Sequence, residues 1–181
     1  PYYNNKNKPL IGPQDLNELP LSEITIAEVL KKNGYKTFYS GKWHLGSEGH
    51  YPEDQGFDIN IGGFEKGSPM GGYYSPYKNP KLEDGPEGEY LTDRLTQETI
   101  DFIDSRDESK PFAAFLAFYN VHTPIQENKE FYDYYKEKLN GYDGVEPVTK
   151  KEGDAITLLN QRNAKYASMV HATDNNVGKI I

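Results

Sequence analysis

Cysteine is absent from the 181 residues. That excludes a disulfide framework, a thiolate metal site and a cysteine nucleophile. Positive charge is scarce: 20 Lys plus Arg stand against 28 Asp plus Glu, a formal net charge of -8. A nucleic-acid binder shows the opposite balance, so no nucleic-acid partner is expected, although an acidic whole can still hold a local cationic pocket. Long apolar runs are missing as well. None approaches the ~20 residues that cross a bilayer, so no membrane span is expected. No signal peptide is visible.

What is present argues for a folded core. Aromatics make up 13% of the chain, with 15 Tyr and 8 Phe, and disordered chains are poor in them. The length fits one ordinary domain. Pro1 opens the chain without Met, and Lys179-Ile180-Ile181 closes it on an apolar end. Helices tend to stop on Gly or a polar cap, so both ends read as cuts inside something longer.

Residues 1 to about 20, rich in Asn, Pro and Lys, read as irregular. Thr25-Ile26-Ala27-Glu28 fits a capping box and opens a helix with Ile26, Val29 and Leu30 on one face. Asn33-Gly34 stops it. Tyr35 to Ser40 has strand chemistry, and Phe57 to Ile61 alternates as a second short strand. Residues 62–90, full of Gly, Pro and Tyr, read as a long functional or insertion loop. Thr92 is expected to cap a helix reaching about Ser105. Phe112 to Phe118 is a short apolar run, the pattern of a strand buried on both faces. Residues 126–153 read as a polar loop with helical fragments, and a last helix is expected over 154–181. The order is α/β. A sheet buried on both faces needs neighbours, and this chain supplies two or three strands, so the sheet is expected to be incomplete.

Chemistry concentrates in Gly41-Lys42-Trp43-His44-Leu45-Gly46. In extended chain, residues two apart share a face, so Lys42 and His44 would project together, away from Trp43 and Leu45. The glycines let the backbone bend or a ligand approach. The segment follows a strand, at the carboxyl edge where open α/β sheets bind ligands. An ammonium beside an imidazole suits an anion that gains charge during reaction. Spacing alone also admits a solvated Lys and a turn His beside a buried Trp. His122, in Asn120-Val121-His122-Thr123-Pro124, ends the second long strand. If the two strands are parallel neighbours, both histidines lie at one edge of the sheet. His50 and His171 read as surface or helix residues. Glu83, Asp84, Glu87 and Glu89 read as a solvated loop. Tyr73, Tyr74 and Tyr77 suit either loop packing, which is favoured, or the rim of a sugar site.

The hexapeptide resembles the second signature of the type I sulfatases, in the alkaline phosphatase superfamily. The likeness extends to Leu21–Thr37 before it, to Pro52 with Gly56-Phe57-Asp58 after it, to Tyr90-Leu91-Thr92-Asp93, to Phe112–Pro124, and to Tyr166–Val170 with Asp174 and Val177-Gly178. It covers roughly residues 18 to 181. It implies an internal piece of one catalytic domain, with a partial alkaline-phosphatase-like sandwich of mostly parallel strands flanked by helices. A helix-strand-loop-helix-strand core would span 21–125. The resemblance also implies roles. Lys42 would bridge the sulfate and a formylglycine nucleophile, His44 would hold the formylglycine hydroxyl, and His122 would bind sulfate and assist the leaving group. Calcium is the implied metal, a sulfated small molecule or glycan the implied partner, and the periplasm or exterior the implied location.

The departures are specific. No Ser is followed by x-Pro-x-Arg, so the formylglycine precursor has no counterpart here. The family's paired N-terminal Asp residues, its later Asp-Asn pair and a C-terminal-side Lys have none either, so no calcium ligand is assigned. The 181 residues alone are therefore expected to be inactive. Two other functions stay open from the residues: a phosphoester or phosphonate hydrolase of the same superfamily, and a non-catalytic module that binds anions or sulfated glycans. Unpaired strand edges would also allow self-association.

Overall fold

The computed structural model describes residues 16–141 and 146–181. Residues 1–15 of the expected irregular start lie outside them, and residues 16–20 form neither helix nor strand.

The centre is β1 (Lys36–Gly41), whose residues from Thr37 to Gly41 are all buried. It pairs in parallel with β2 (Ile59–Ile61) on one side and with β3 (Phe112–Ala117) on the other, giving the order β2-β1-β3. Alternation along β1 serves two layers at once. Phe38 stacks on Phe102 of α2 (Leu91–Ser105), with ring centroids 4.5 Å apart and planes 12° apart. Two residues on, the Ser40 hydroxyl donates to the Leu95 carbonyl on the same helix. Thr37 and Tyr39 face the other way. Tyr39 packs with Phe57 and with Ala27 of α1 (Ile26–Lys32). β3 repeats the rule: Phe112 meets Phe102 at 5.9 Å, while Phe115 meets Phe57 at 5.3 Å. Helices therefore cover both faces of a parallel sheet, as the α/β pattern requires.

The capping box forms as expected. Thr25 Oγ1 accepts from the Glu28 N–H at 3.1 Å, and Glu28 accepts from the Thr25 N–H at 2.8 Å. The buried face of α1 differs from expectation: Ala27 is fully enclosed, whereas Ile26 is 61% exposed. The small side chain lets the helix sit close to Tyr39 and Phe57. β3 is a second correction. All six of its residues are half-buried, because it is the outer strand of three and β1 holds the enclosed position. β2 is shorter than the expected run, since Phe57 turns into the core and Asp58 turns back to β1. Thr92 is not the cap of α2. Tyr90 holds that place, and the Thr92 hydroxyl donates to Asn120 Oδ1 at 2.6 Å, a tertiary partner invisible in local sequence.

The last helix, α4, covers only Ala164–Ile180, with Asn163 accepting from the Tyr166 N–H. Within the expected helix 154–181 lies β5 (Ala155–Leu158). It pairs antiparallel with β4 (Thr149–Glu152) in the expected polar segment, which also holds α3 (Lys129–Asn140). Gly153-Asp154 supplies a two-residue hairpin turn, with Gly153 at φ +62°. The main core joins Leu91 and Leu95 of α2 to Met169 and Ala172 of α4 and to Tyr73, Tyr77 and Tyr119. No helix among the described residues is long and apolar enough to cross a membrane.

Asp58 ties β1 to the layer outside it. Its carboxylate accepts from the Thr37 N–H at 3.0 Å and pairs with Lys31 at 2.9 Å and Lys36 at 3.6 Å. Burial works to raise its pKa, but the Thr37 N–H and the two ammonium groups outweigh burial and leave it below the ordinary aspartate value. A depressed carboxylate stabilises fully above its ordinary pKa and loses that contribution as pH falls through the depressed one. Asp58→Asn should therefore cost about 1–3 kcal/mol at neutral pH, and the gap to wild type should close in strong acid. Urea melts at the two pH values check this; a gap independent of pH would refute the assigned cause.

Candidate active site

β1 and β3 run parallel and end level, with Gly41 opposite Ala117. Gly41 has φ +106°, and a Cβ there would stand 2.0 Å from the Ala117 carbonyl oxygen. Glycine is required at this position twice over, for the backbone angle and for the close approach. One residue later the Lys42 N–H donates to that same carbonyl at 2.8 Å. The Lys42 carbonyl accepts from the Tyr39 hydroxyl. Burial raises the Tyr39 pKa, so the phenol stays a donor. Lys42 thus leaves the sheet with both backbone groups fixed. Among the described residues no carboxylate pairs with its ammonium.

Beyond Lys42 the chain is not an extended strand. His44 adopts φ +60°, in the left-handed region, so the simple alternation of Lys42 with His44 does not hold. Trp43 turns inward, edge-on to Tyr39 at 5.2 Å, and its Nε1–H donates to the His50 carbonyl at 2.8 Å. The His44 N–H donates to the Phe64 carbonyl at 3.1 Å. His44 itself is exposed and borders an open cleft with Glu18, Ser47, Glu65 and Lys66. Leu45 is half exposed rather than buried against the core.

His122 follows β3 by five residues and lies in a tight turn, its N–H donating to the Tyr119 carbonyl at 2.8 Å. The Asn120–Val121 and Thr123–Pro124 peptides are cis. Asn120 accepts from Thr92 and donates through Nδ2 to the Met169 carbonyl at 2.9 Å, tying the turn to α2 and α4. His122 Nδ1 lies 2.8 Å from the Thr123 carbonyl. A carbonyl only accepts, so Nδ1 carries the proton, and Nε2 is left for an outside group.

All three candidates therefore occupy loops at the carboxyl ends of neighbouring parallel strands. No hydrogen bond or ion pair joins Lys42, His44 and His122 to one another among the described residues. Among the described residues no group of three or more His, Cys, Asp or Glu is placed to hold a metal ion.

Other residues carry more structure than the sequence suggested. His50 sits between the Leu19 carbonyl and Glu18. His171 stacks on Phe131 at 3.9 Å. Asp84 accepts from the Tyr77 N–H, and Glu89 accepts from the Tyr77 hydroxyl and faces Arg94, so half of the acidic loop anchors the fold. Tyr73 and Tyr77 are core residues, which settles packing over a sugar-binding rim for those two. The sequence reading missed Tyr73 as a support of the site: its hydroxyl reaches the carbonyls of both Tyr119 and His122. Its only local signal is its place in an aromatic-rich loop.

Mouse arylsulfatase J is 31% identical over 147 residues, covering 72% of this chain and 24% of the relative. Human N-acetylgalactosamine-6-sulfatase is 28% identical over 189 residues, covering 93% of this chain and 35% of the relative. The chain thus spans about a quarter to a third of the length of these curated relatives. Among solved structures, Ps i-CgsB in complex with k-i-k-neocarrahexaose superposes with a TM-score of 0.60 at 26% identity, over 92% of this chain and 37% of that one. BT4656 in complex with its substrate D-glucosamine-2-N,6-O-disulfate gives 0.52 at 26% identity, over 68% and 24%. The parallel sheet flanked by helices is the alkaline-phosphatase-like fold of these neighbours, and calcium and formylglycine are general features of their family. The sulfatase family model matches residues 1–181 from end to end, and the chain belongs to the sulfatase family.

Proposed function

We propose that this chain supplies the sulfate-binding and proton-handling part of a sulfatase active site, in a protein that hydrolyses sulfate monoesters of carbohydrates. One observation carries the reading: Lys42 and the His122 turn leave adjacent parallel strands at the same edge, where the Lys42 N–H is bonded to the last carbonyl of β3. The ammonium of Lys42, which no carboxylate pairs among the described residues, is a ready partner for sulfate oxygens. Neutral His122, protonated at Nδ1, accepts at Nε2; once charged it donates there, as a leaving-group oxygen requires. His44, exposed just past Lys42, is the third polar group and orients a hydroxyl or sulfate oxygen. The nucleophile motif and metal ligands of the family have no counterpart among these residues, so no bond-making step is assigned to them. Carbohydrate esters are favoured by the relatives' names: N-acetylgalactosamine-6-sulfatase, and a Bacteroides thetaiotaomicron N-acetylglucosamine-6-O-sulfatase that is 40% identical over 94 residues, covering 49% of this chain and 15% of that relative. The 181 residues form part of one catalytic domain on this reading, and export is the location the family suggests.

Lys42→Ala should weaken inorganic sulfate binding by about tenfold or more, the loss of one charge-assisted contact. His122→Ala should weaken it less. Calorimetric titration decides this, and equal affinity in wild type and Lys42→Ala would end the reading. A second expectation concerns turnover: the 181-residue chain should hydrolyse 4-nitrophenyl sulfate no faster than its Lys42→Ala variant. A release of nitrophenol that depends on Lys42 would show that a nucleophile has been overlooked.

A further inference from the structure

We propose that the glycine- and tyrosine-rich loop 62–78 positions both candidate histidines, with Gly67 setting the imidazole of His44 and Tyr73 setting the turn that carries His122. The inference rests on the assignment of those histidines to the site.

His44 is held at two points by this loop. Its backbone N–H is bonded to the Phe64 carbonyl. Its ring lies directly on Gly67: a Cβ at that position would stand 2.2 Å from Nδ1 and 2.7 Å from Cγ and Cε1. The backbone of Gly67 is outside the left-handed region, so an L-residue could adopt it without strain. Glycine is demanded by the imidazole, not by the backbone angle. Because His44 is exposed, its ring can swing away from an added methyl at little cost to the fold. A change at Gly67 therefore moves the imidazole rather than unfolding the protein.

Tyr73 acts on the other histidine. It is fully buried, and its hydroxyl lies 2.8 Å from the His122 carbonyl and 2.9 Å from the Tyr119 carbonyl. Those two residues close the turn on each other, so one phenol proton is shared by both ends of it. The Tyr73 N–H donates to Gln126 Oε1 at 2.7 Å, which ties the loop to the chain four residues beyond His122. A Cβ at the preceding Gly72 would come within 2.7 Å of that oxygen. The loop therefore reaches one histidine through Phe64 and Gly67 and the other through Gly72 and Tyr73.

The test uses imidazole NMR spectra of the 181-residue chain. Wild type should show a nuclear Overhauser contact between Gly67 Hα and the His44 ring, and a slowly exchanging Tyr73 hydroxyl proton. Gly67→Ala should shift the His44 ring signals and leave those of His122 in place. Tyr73→Phe should do the reverse. Each variant should bind inorganic sulfate about threefold to tenfold more weakly, the scale of one lost hydrogen bond. Ring signals unmoved in a folded variant would overturn the positioning role for that residue. If a variant fails to fold, the wild-type signals decide, and their absence overturns the proposal. If the rings move and sulfate affinity does not, the positioning stands and the sulfate-binding reading falls.

Discussion

The parallel pairing of Lys36–Gly41 with Phe112–Ala117 is the contact on which the rest depends. It fixes where two strands stop, and hence where two loops begin. Gly41 makes that ending possible: with no Cβ it lets the Ala117 carbonyl approach, and that oxygen then accepts the Lys42 N–H. A larger residue would push β3 away from β1 at the edge that carries the candidate groups. Stacking of Phe38 on Phe102 and clustering of Tyr39 with Phe57 and Trp43 clamp the strand from both faces, so the edge cannot tilt without disturbing two layers.

Local rules reached the elements whose stability is local. The capping box of Thr25 and Glu28, the strand before Gly41 and the apolar strand after Pro111 follow from residue type and spacing alone. Readings failed where tertiary partners decide. Ile26 looked like a core residue, but the close seat belongs to Ala27. Thr92 looked like a cap, but Asn120 recruits its hydroxyl. The β4–β5 hairpin was signalled by Gly153-Asp154, yet Leu158 and Leu159 beside α4 mimic helical spacing, and an exposed hairpin has little apolar pattern to oppose them. Lys42, His44 and His122 stand out as candidates in the sequence because polar groups at strand ends have few structural duties, and the fold places all three in loops at the carboxyl ends of neighbouring strands. Tyr73 does not stand out, since a buried tyrosine in a loop looks the same whether it fills space or holds a turn.

The acidic sum of the chain does not exclude a local cationic group, because several acids are drawn into ion pairs elsewhere. Asp58 is held by Lys31 and Lys36, Glu89 and Glu98 by Arg94, Glu53 by Lys81, and Asp93 by Lys179. None of these pairs involves Lys42. Within a Debye length, an anion at the sheet edge meets the local groups rather than the net charge of the molecule: the Lys42 ammonium, which no carboxylate pairs among the described residues, and farther along the cleft beside His44 the carboxylates of Glu18 and Glu65.

The two histidines differ in how much freedom the fold leaves them. His122 has its tautomer set by the Thr123 carbonyl and its backbone set at both ends, by the Tyr119 carbonyl below and the Tyr73 hydroxyl above. On the proposed role, that leaves Nε2 for exchange with a bound group. His44, exposed like His122, also has a fixed backbone, and its ring is restrained on one side by the bare surface of Gly67. On the proposed roles, both imidazoles are reached from a loop that carries no regular secondary structure between Gly62 and Tyr90 beyond a single bridge of Tyr74 to Tyr90.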